Sequence, residues 1–252
     1  MSKPRLAIFD FACCEGCQLQ IVNLEEELLD LLNVVEPVEW REAMAESSDE
    51  FDIAIVEGSI TRDQDAERLK WIRERAKVLI ALGACATTGG VNKLKNMVGI
   101  PKAQKEVYGD HAADPHLATA PTMAADEIVT VDYYVHGCPM DRKEFTYIVR
   151  CVALGKTPEI PAYPVCVECK QQGNVCRYEY GEVCLGVITR AGCRARCPSG
   201  GGWCFGCRGL APDPNVEAAK EVMEYYGKTR DDLIDRMELF ANVQEATHAE
   251  DR

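Results

Sequence analysis

Through the first 157 residues, short apolar runs of strand length alternate with charged stretches of helical period. Residues 5–12 (RLAIFDFA), 52–58 (DIAIVEG), 77–85 (KVLIALGAC) and 128–139 (IVTVDYYVHGCP) read as strands. Their near-continuous apolar character fits strands covered on both faces of a parallel sheet. Residues 35–40 form a weaker strand, and Pro37 places it at a sheet edge. Between the strands, residues 18–32 predict one helix with Leu19, Val22, Leu28, Leu29 and Leu32 on its inner face. Residues 63–76 predict a charged helix with Leu69 and Ile72 facing in, and residues 141–154 a helix that stops at Gly155. Strands alternating with helices define an α/β domain, a flavodoxin-like doubly wound parallel sheet. Residues 86–127 carry scattered glycines and prolines and predict loops with one short helix.

The pattern then changes. Three prolines between residues 157 and 164 mark a boundary. Residues 166–210 have little periodicity, many glycines and few aliphatic side chains. Residues 216–226 are amphipathic, with Val216, Ala219, Val222, Met223 and Tyr226 on one face and Gly227 just past the end. Thr229, with Asp232 three residues on, caps a second helix whose inner face is Leu233, Ile234, Met237 and Phe240. The last ten residues are polar and expected to fray. The organisation read from sequence is thus 1–157, a small irregular domain at 158–212, and C-terminal helices at 213–252.

Composition narrows the function. In 252 residues, 41 acidic against 28 basic side chains leave a net charge of −13. Such a chain is ill suited to neutralising nucleic-acid phosphates. No window approaches 18 consecutive apolar residues, so neither a transmembrane helix nor a membrane partner is expected. The opening residues run directly into a strand with no secretory or twin-arginine pattern, which makes the cytoplasm the expected compartment.

Fourteen cysteines change the picture. In a reducing compartment a disulfide framework is not expected, and dense cysteine points to metal. Cys14 and Cys17 follow the first strand, Cys85 lies just past the apolar run KVLIALG (77–83), and Cys138 just past VTVDYYV (129–135). In open parallel sheets the carboxyl ends of strands share one edge, where ligands bind. Four thiolates converging there would hold a tetrahedral metal or a cubane cluster. Pro139 after Cys138 matches the cysteine–proline ending of bacterial cluster motifs, and glycines beside the ligands let backbone amides approach sulfide. Cys13 is a spare thiol, and Cys151 lies within a helix as a small packing residue.

Eight further cysteines fall within 42 residues: Cys166, Cys169, Cys176, Cys184, Cys193, Cys197, Cys204 and Cys207. Four plus eight makes three sets of four. Two zinc knots are the competing reading. The irregular spacing and the repeat of cysteine–proline at Cys197-Pro198 favour iron–sulfur, without fixing which cysteine belongs to which cluster. Arg190, Arg194, Arg196 and Arg208 lie among the last ligands with no acid between them, and could offset the charge of an anionic cluster.

These segments — FDFACCEGCQLQIVNLEEELLDLL, DIAIVEGSI, ALGACATTGG, VDYYVHGCP, VCVECK, VCLGVITRAGCRARCP and CFGCRGL — resemble the small subunits of nickel–iron hydrogenases. They are most similar to the delta subunits of soluble NAD(P)-linked hydrogenases and sulfhydrogenases. The resemblance implies a proximal [4Fe–4S] cluster on Cys14, Cys17, Cys85 and Cys138, and two more [4Fe–4S] clusters on the eight later cysteines. It implies a nickel–iron large subunit as partner, together with flavin- and iron–sulfur-bearing diaphorase subunits that use NAD(P). Catalysis on hydrogen would then occur in the partner, and this chain would relay electrons. A quinone-reductase subunit related to respiratory complex I is the alternative within the fold; a zinc-stabilised interaction module is the alternative outside it. Glu57 and His136, next to the site, are expected to serve as supporting residues.

Overall fold

A computed structural model describes residues 2–240. The chain divides into two compact units, Met1–Pro158 and Glu159–Arg252. The division falls inside the proline-rich boundary segment. The fraying expected of the last ten residues lies outside the described residues.

The first unit is built on five parallel strands: β1 (Arg5–Asp10), β2 (Glu36–Trp40), β3 (Ile53–Glu57), β4 (Val78–Leu82) and β5 (Tyr133–Val135). Their order is β2-β1-β3-β4-β5, with every pairing parallel. This is the flavodoxin-like doubly wound order. Every residue of β3 is buried, as a central strand with both faces covered must be. The strand around Pro37 does lie at the edge. One face of the sheet packs Phe9, Phe51, Ile60, Leu69, Ile72 and Leu79 together, with Trp71 edge-on to Phe9.

The helices of this unit are α1 (Gly16–Val22), α2 (Glu26–Leu32), α3 (Asp63–Arg75), α4 (Gly83–Thr88), α5 (Leu94–Val98), α6 (Ile100–Tyr108) and α7 (Arg142–Ala153). Leu69 and Ile72 face the sheet from α3 as expected. Asp141 caps α7 through the amides of Lys143 and Glu144, and Gly155 takes a left-handed φ just beyond its end.

Four expectations need correction. The single helix over 18–32 is two helices, broken where Glu25 adopts φ 54°. Its inner face is also different: Cys17, Gln18, Ile21, Leu24 and Leu31 are buried, whereas Leu19 is 55% and Leu29 64% exposed. The break rotates α2 relative to α1, so no single 3.6-residue period describes both. Residues 86–127 hold two helices, not one, joined through Gly99. The strand over 128–139 shrinks to three residues, because Ile128, Val129 and Val131 pack against the core from a turn. Finally, the strand read over 77–85 ends at Leu82 and runs directly into α4, so Cys85 sits on the first turn of a helix.

The second unit has helices α8 (Val165–Gln171), α9 (Arg196–Ser199), α10 (Val216–Tyr225) and α11 (Arg230–Glu238). Val165, Tyr178, Val183, Leu185 and Ile188 of the cysteine segment share one core with Ala219 and Met223 of α10 and Met237 of α11. Tyr178 stacks on Tyr226, and Arg236 lies over the Trp203 ring. The C-terminal helices therefore supply the apolar surface that the cysteine segment lacks by itself. Thr229 and Asp232 form the expected capping box.

Candidate metal centres

At the carboxyl edge of the sheet, the first four candidate ligands come from three separate connections. Cys14 and Cys17 open α1 after β1, Cys85 opens α4 after β4, and Cys138 follows β5. The Ala84 amide donates to the Gly137 carbonyl at 2.7 Å, which ties the Cys85 helix to the Cys138 loop. Gly83 has φ +78°, and a Cβ there would lie 2.5 Å from Cys17 Sγ. Gly90 leaves Cys85 Sγ similarly little room, with a Cβ contact of 3.1 Å. Glycine is therefore required at Gly83 both by its left-handed backbone and by the sulfur against it.

Burial dominates the acidity of Cys17, Cys85 and Cys138. Cys85 is pushed up to about 12 by desolvation, and the neighbouring Cys138 and Cys14 add to the shift. Cys17 and Cys138 are raised for the same first reason. Cys13, beside the set, is pushed up to about 12 by burial and then by Glu57. A buried cluster of thiolates repels itself unless cationic iron or zinc offsets the charge, and a coordinated thiol is deprotonated outright.

Glu57, at the end of β3, is 2% exposed. Its carboxylate accepts the amides of Cys17 at 3.0 Å and Gln18 at 3.2 Å. It thus caps α1 from a neighbouring strand, since the residue before the helix, Glu15, is left-handed and makes no side-chain cap. Its carboxyl is pushed up by burial, against the pull of those amides. His136 is buried and stacks on Tyr134 at 5.5 Å between centroids.

The second unit carries the eight later cysteines. Cys166 is pushed up to about 12 by burial, then by Cys184, Cys169 and Cys176, so these four share one neighbourhood. Gly186 lies against it: a Cβ there would come 3.4 Å from Cys166 Sγ and 3.6 Å from Cys184 Sγ. Of the other four, Cys197 is raised by burial and then by Cys193, and Cys204 by burial, then by Cys184 and, last, by Cys207. The two groups meet where the Cys204 amide donates to Cys184 Sγ at 3.2 Å. Asn174 Nδ2 donates to Cys169 Sγ at 3.7 Å. Arg208 is not a solvated surface charge: it is 1% exposed and its Nε donates to the carbonyls of Ala191 at 2.9 Å and Arg190 at 3.2 Å. Cys151, half-buried on α7, joins neither set.

The chemistry of the surroundings fits a sulfide-bearing cluster. Gln18 Nε2, Thr87 Oγ1, Arg177 Nε and Trp203 Nε1 are buried without a hydrogen-bond partner. Each belongs to a residue within two positions of Cys17, Cys85, Cys176 or Cys204. An unmatched buried polar group costs about 1–3 kcal/mol, and cluster sulfide is an acceptor for such donors. Among the described residues no three histidine, cysteine, aspartate or glutamate side chains converge on a point tightly enough for a single metal ion.

Known proteins place this edge in context. The sequence model of the NADH ubiquinone oxidoreductase 20 kDa subunit family matches residues 14–152. Sulfhydrogenase 2 subunit delta of Pyrococcus furiosus is 36% identical over 87% of this chain and 92% of its own length. A subunit of the F420-non-reducing hydrogenase vhu of Methanococcus voltae is 32% identical over 94% of both. A chain in the crystal structure of an NAD+-reducing [NiFe]-hydrogenase in the H2-reduced state superposes with a TM-score of 0.56 at 28% identity, covering 64% of this chain and 96% of that one. The match over residues 14–152 makes this chain a member of the 20 kDa oxidoreductase-subunit family. Within that family the chain belongs with the small subunits of nickel–iron hydrogenases.

Proposed function

We propose that this chain is the electron-transfer small subunit of a heteromeric cytoplasmic [NiFe] hydrogenase. The observation that carries the reading is the placement of Cys14, Cys17, Cys85 and Cys138 at the carboxyl edge of one parallel sheet, followed by a second unit that carries eight more cysteines. Cys14, Cys17, Cys85 and Cys138 would hold a proximal [4Fe–4S] cluster. Cys166, Cys169, Cys176 and Cys184 would hold a second, and Cys193, Cys197, Cys204 and Cys207 a third. Such clusters supply one-electron transfer at potentials set by burial, charge and hydrogen bonds to sulfur. The protein's part is to fix the ligands, to exclude water through the packing of α10 and α11, and to present donors toward the sulfurs. Hydrogen would react at nickel and iron in the large subunit. Electrons would pass to flavin- and iron–sulfur-bearing subunits that use NAD(P).

Two facts support the hydrogenase reading over the quinone-reductase one. The family match ends at residue 152, before the eight-cysteine segment. The hydrogenase subunits align over 87% and 94% of the chain. The acceptor is the finer question, because these full-length relatives bear names with different acceptors. The complex purified anaerobically through a tag on this chain is expected to bring a nickel-containing large subunit and to reduce NAD+ or NADP+ with hydrogen. Hydrogen-dependent dye reduction with neither nucleotide reduced would keep the hydrogenase and replace the acceptor. Membrane quinone-reducing subunits without nickel would overturn the reading.

A further inference from the structure

The segment that carries Cys193 and Cys197 has an unusual backbone. Gly192 has φ +119°, and the two residues that follow Cys193, Arg194 and Ala195, have φ +56° and +51°. Left-handed conformations strain a residue bearing a Cβ, so two in succession persist only when the surroundings hold them. Among the described residues, all four non-glycine positions with positive φ are Glu15, Glu25, Arg194 and Ala195, and this pair is the one instance of two in a row.

What holds the pair is a side chain from the other quartet's helix. Glu168 lies between Cys166 and Cys169 on α8 and is 7% exposed. Its two carboxylate oxygens divide between two amides on either side of Cys193: Oε1 accepts from Gly192 at 2.9 Å, and Oε2 from Ala195 at 3.2 Å. These are charge-assisted bonds in a buried setting, stronger than ordinary amide–carbonyl bonds. A carboxylate is the one common side chain that accepts at both oxygens, while an amide would turn a donor toward one of the two N–H groups. Glu57 does the same work in the first unit, accepting from Cys17 and Gln18 beside the left-handed Glu15.

We propose that Glu168 is a positioning residue that braces the left-handed turn between Cys193 and Cys197 from within the Cys166–Cys169 helix, so that the geometry of the third cluster is set by the ligand helix of the second. The proposal rests on the cluster assignment above and deepens it. It makes Glu168 neither a ligand nor a redox group. Its effect is to hold Cys193 Sγ in reach of Cys197, Cys204 and Cys207.

The test uses the intact complex, purified anaerobically, with iron and acid-labile sulfide per chain and the electron paramagnetic resonance spectrum of the reduced sample. Glu168→Ala is expected to lose about a third of the iron, one cubane of three, and with it one of the cluster signals. Ala195→Gly removes the conformational penalty at one of the two strained positions, so the double variant Glu168→Ala/Ala195→Gly is expected to regain at least half of the lost iron. Glu168→Gln keeps the shape and one acceptor; it is expected to retain iron but to shift the signal of one cluster, and it carries the test if Glu168→Ala does not accumulate. Wild-type iron and an unchanged spectrum in both single variants would overturn the brace. So would a loss in Glu168→Ala that Ala195→Gly leaves untouched, since a general role in folding α8 gains nothing from glycine at position 195. A wild-type complex without iron would instead refute the cluster reading itself, before any variant is compared.

Discussion

Cys17→Ser is expected to uncouple hydrogen oxidation from nucleotide reduction. The serine hydroxyl cannot match a thiolate as an iron ligand, so the variant should lose about four of about twelve irons and at least about 100-fold in hydrogen-dependent NAD(P)+ reduction, more than the loss of a ligand's supporting partner brings. The large effect follows from position. Cys17 is buried at the start of α1, its amide is held by Glu57, and its sulfur lies against Gly83. Cys151→Ser is the matched control. That thiol is half-buried on α7 and belongs to none of the proposed ligand sets, and its replacement should leave iron content and turnover at the wild-type level. Iron analysis together with hydrogen uptake, followed by dye and by nucleotide, separates the two. A silent Cys17→Ser beside an inactive Cys151→Ser would reverse the ligand assignment.

Gly83→Ala should be nearly as damaging, although it adds one methyl group and removes no ligand. The new Cβ would stand 2.5 Å from Cys17 Sγ, where no real Cβ is found, and the backbone there is left-handed at +78°. The conformational penalty alone is about 1–2 kcal/mol. The steric conflict cannot be relieved by a flexible chain end, because the sulfur is a proposed ligand and the next amide, that of Ala84, is bonded to Gly137. Thermal unfolding and iron content should fall together, with the proximal cluster's signal lost first. Gly99→Ala is the contrast: its φ of +88° carries the same backbone strain, but a Cβ there meets nothing within 4 Å. It should lower stability and leave the iron count unchanged.

The sequence made much of this visible, for reasons that differ by element. The buried strands were legible because a strand covered on both faces must be apolar throughout, as 53–57 nearly is. The helix at 63–75 was legible because Leu69 and Ile72 recur at its period among charges. Residues 18–32 misled because α1 and α2 are too short for one period, and because Leu19, Val22 and Leu29 are apolar yet exposed. At the site, the ligand candidates were readable from cysteine spacing and strand ends. The proposed division of the eight later cysteines was not, since spacing along the chain does not report contacts such as that of the Cys204 amide with Cys184 Sγ. Glu168 was invisible for the same reason: nothing between Cys166 and Cys169 reports that its partners are Gly192 and Ala195. A weak signal existed, since a lone acid inside a Cys-x-x-Cys turn that folds into the interior must find buried donors. Glu57 offered a similar clue, a carboxylate at the end of an otherwise apolar strand.

The most direct test of the central claim is elemental analysis of the complex purified without oxygen, with metal and acid-labile sulfide counted against this chain's share. Three cubanes predict about twelve irons and about twelve sulfides for this chain, beyond those its partners hold, and broad absorbance that bleaches in air. Two or three zinc ions, no sulfide and a colourless protein would contradict it.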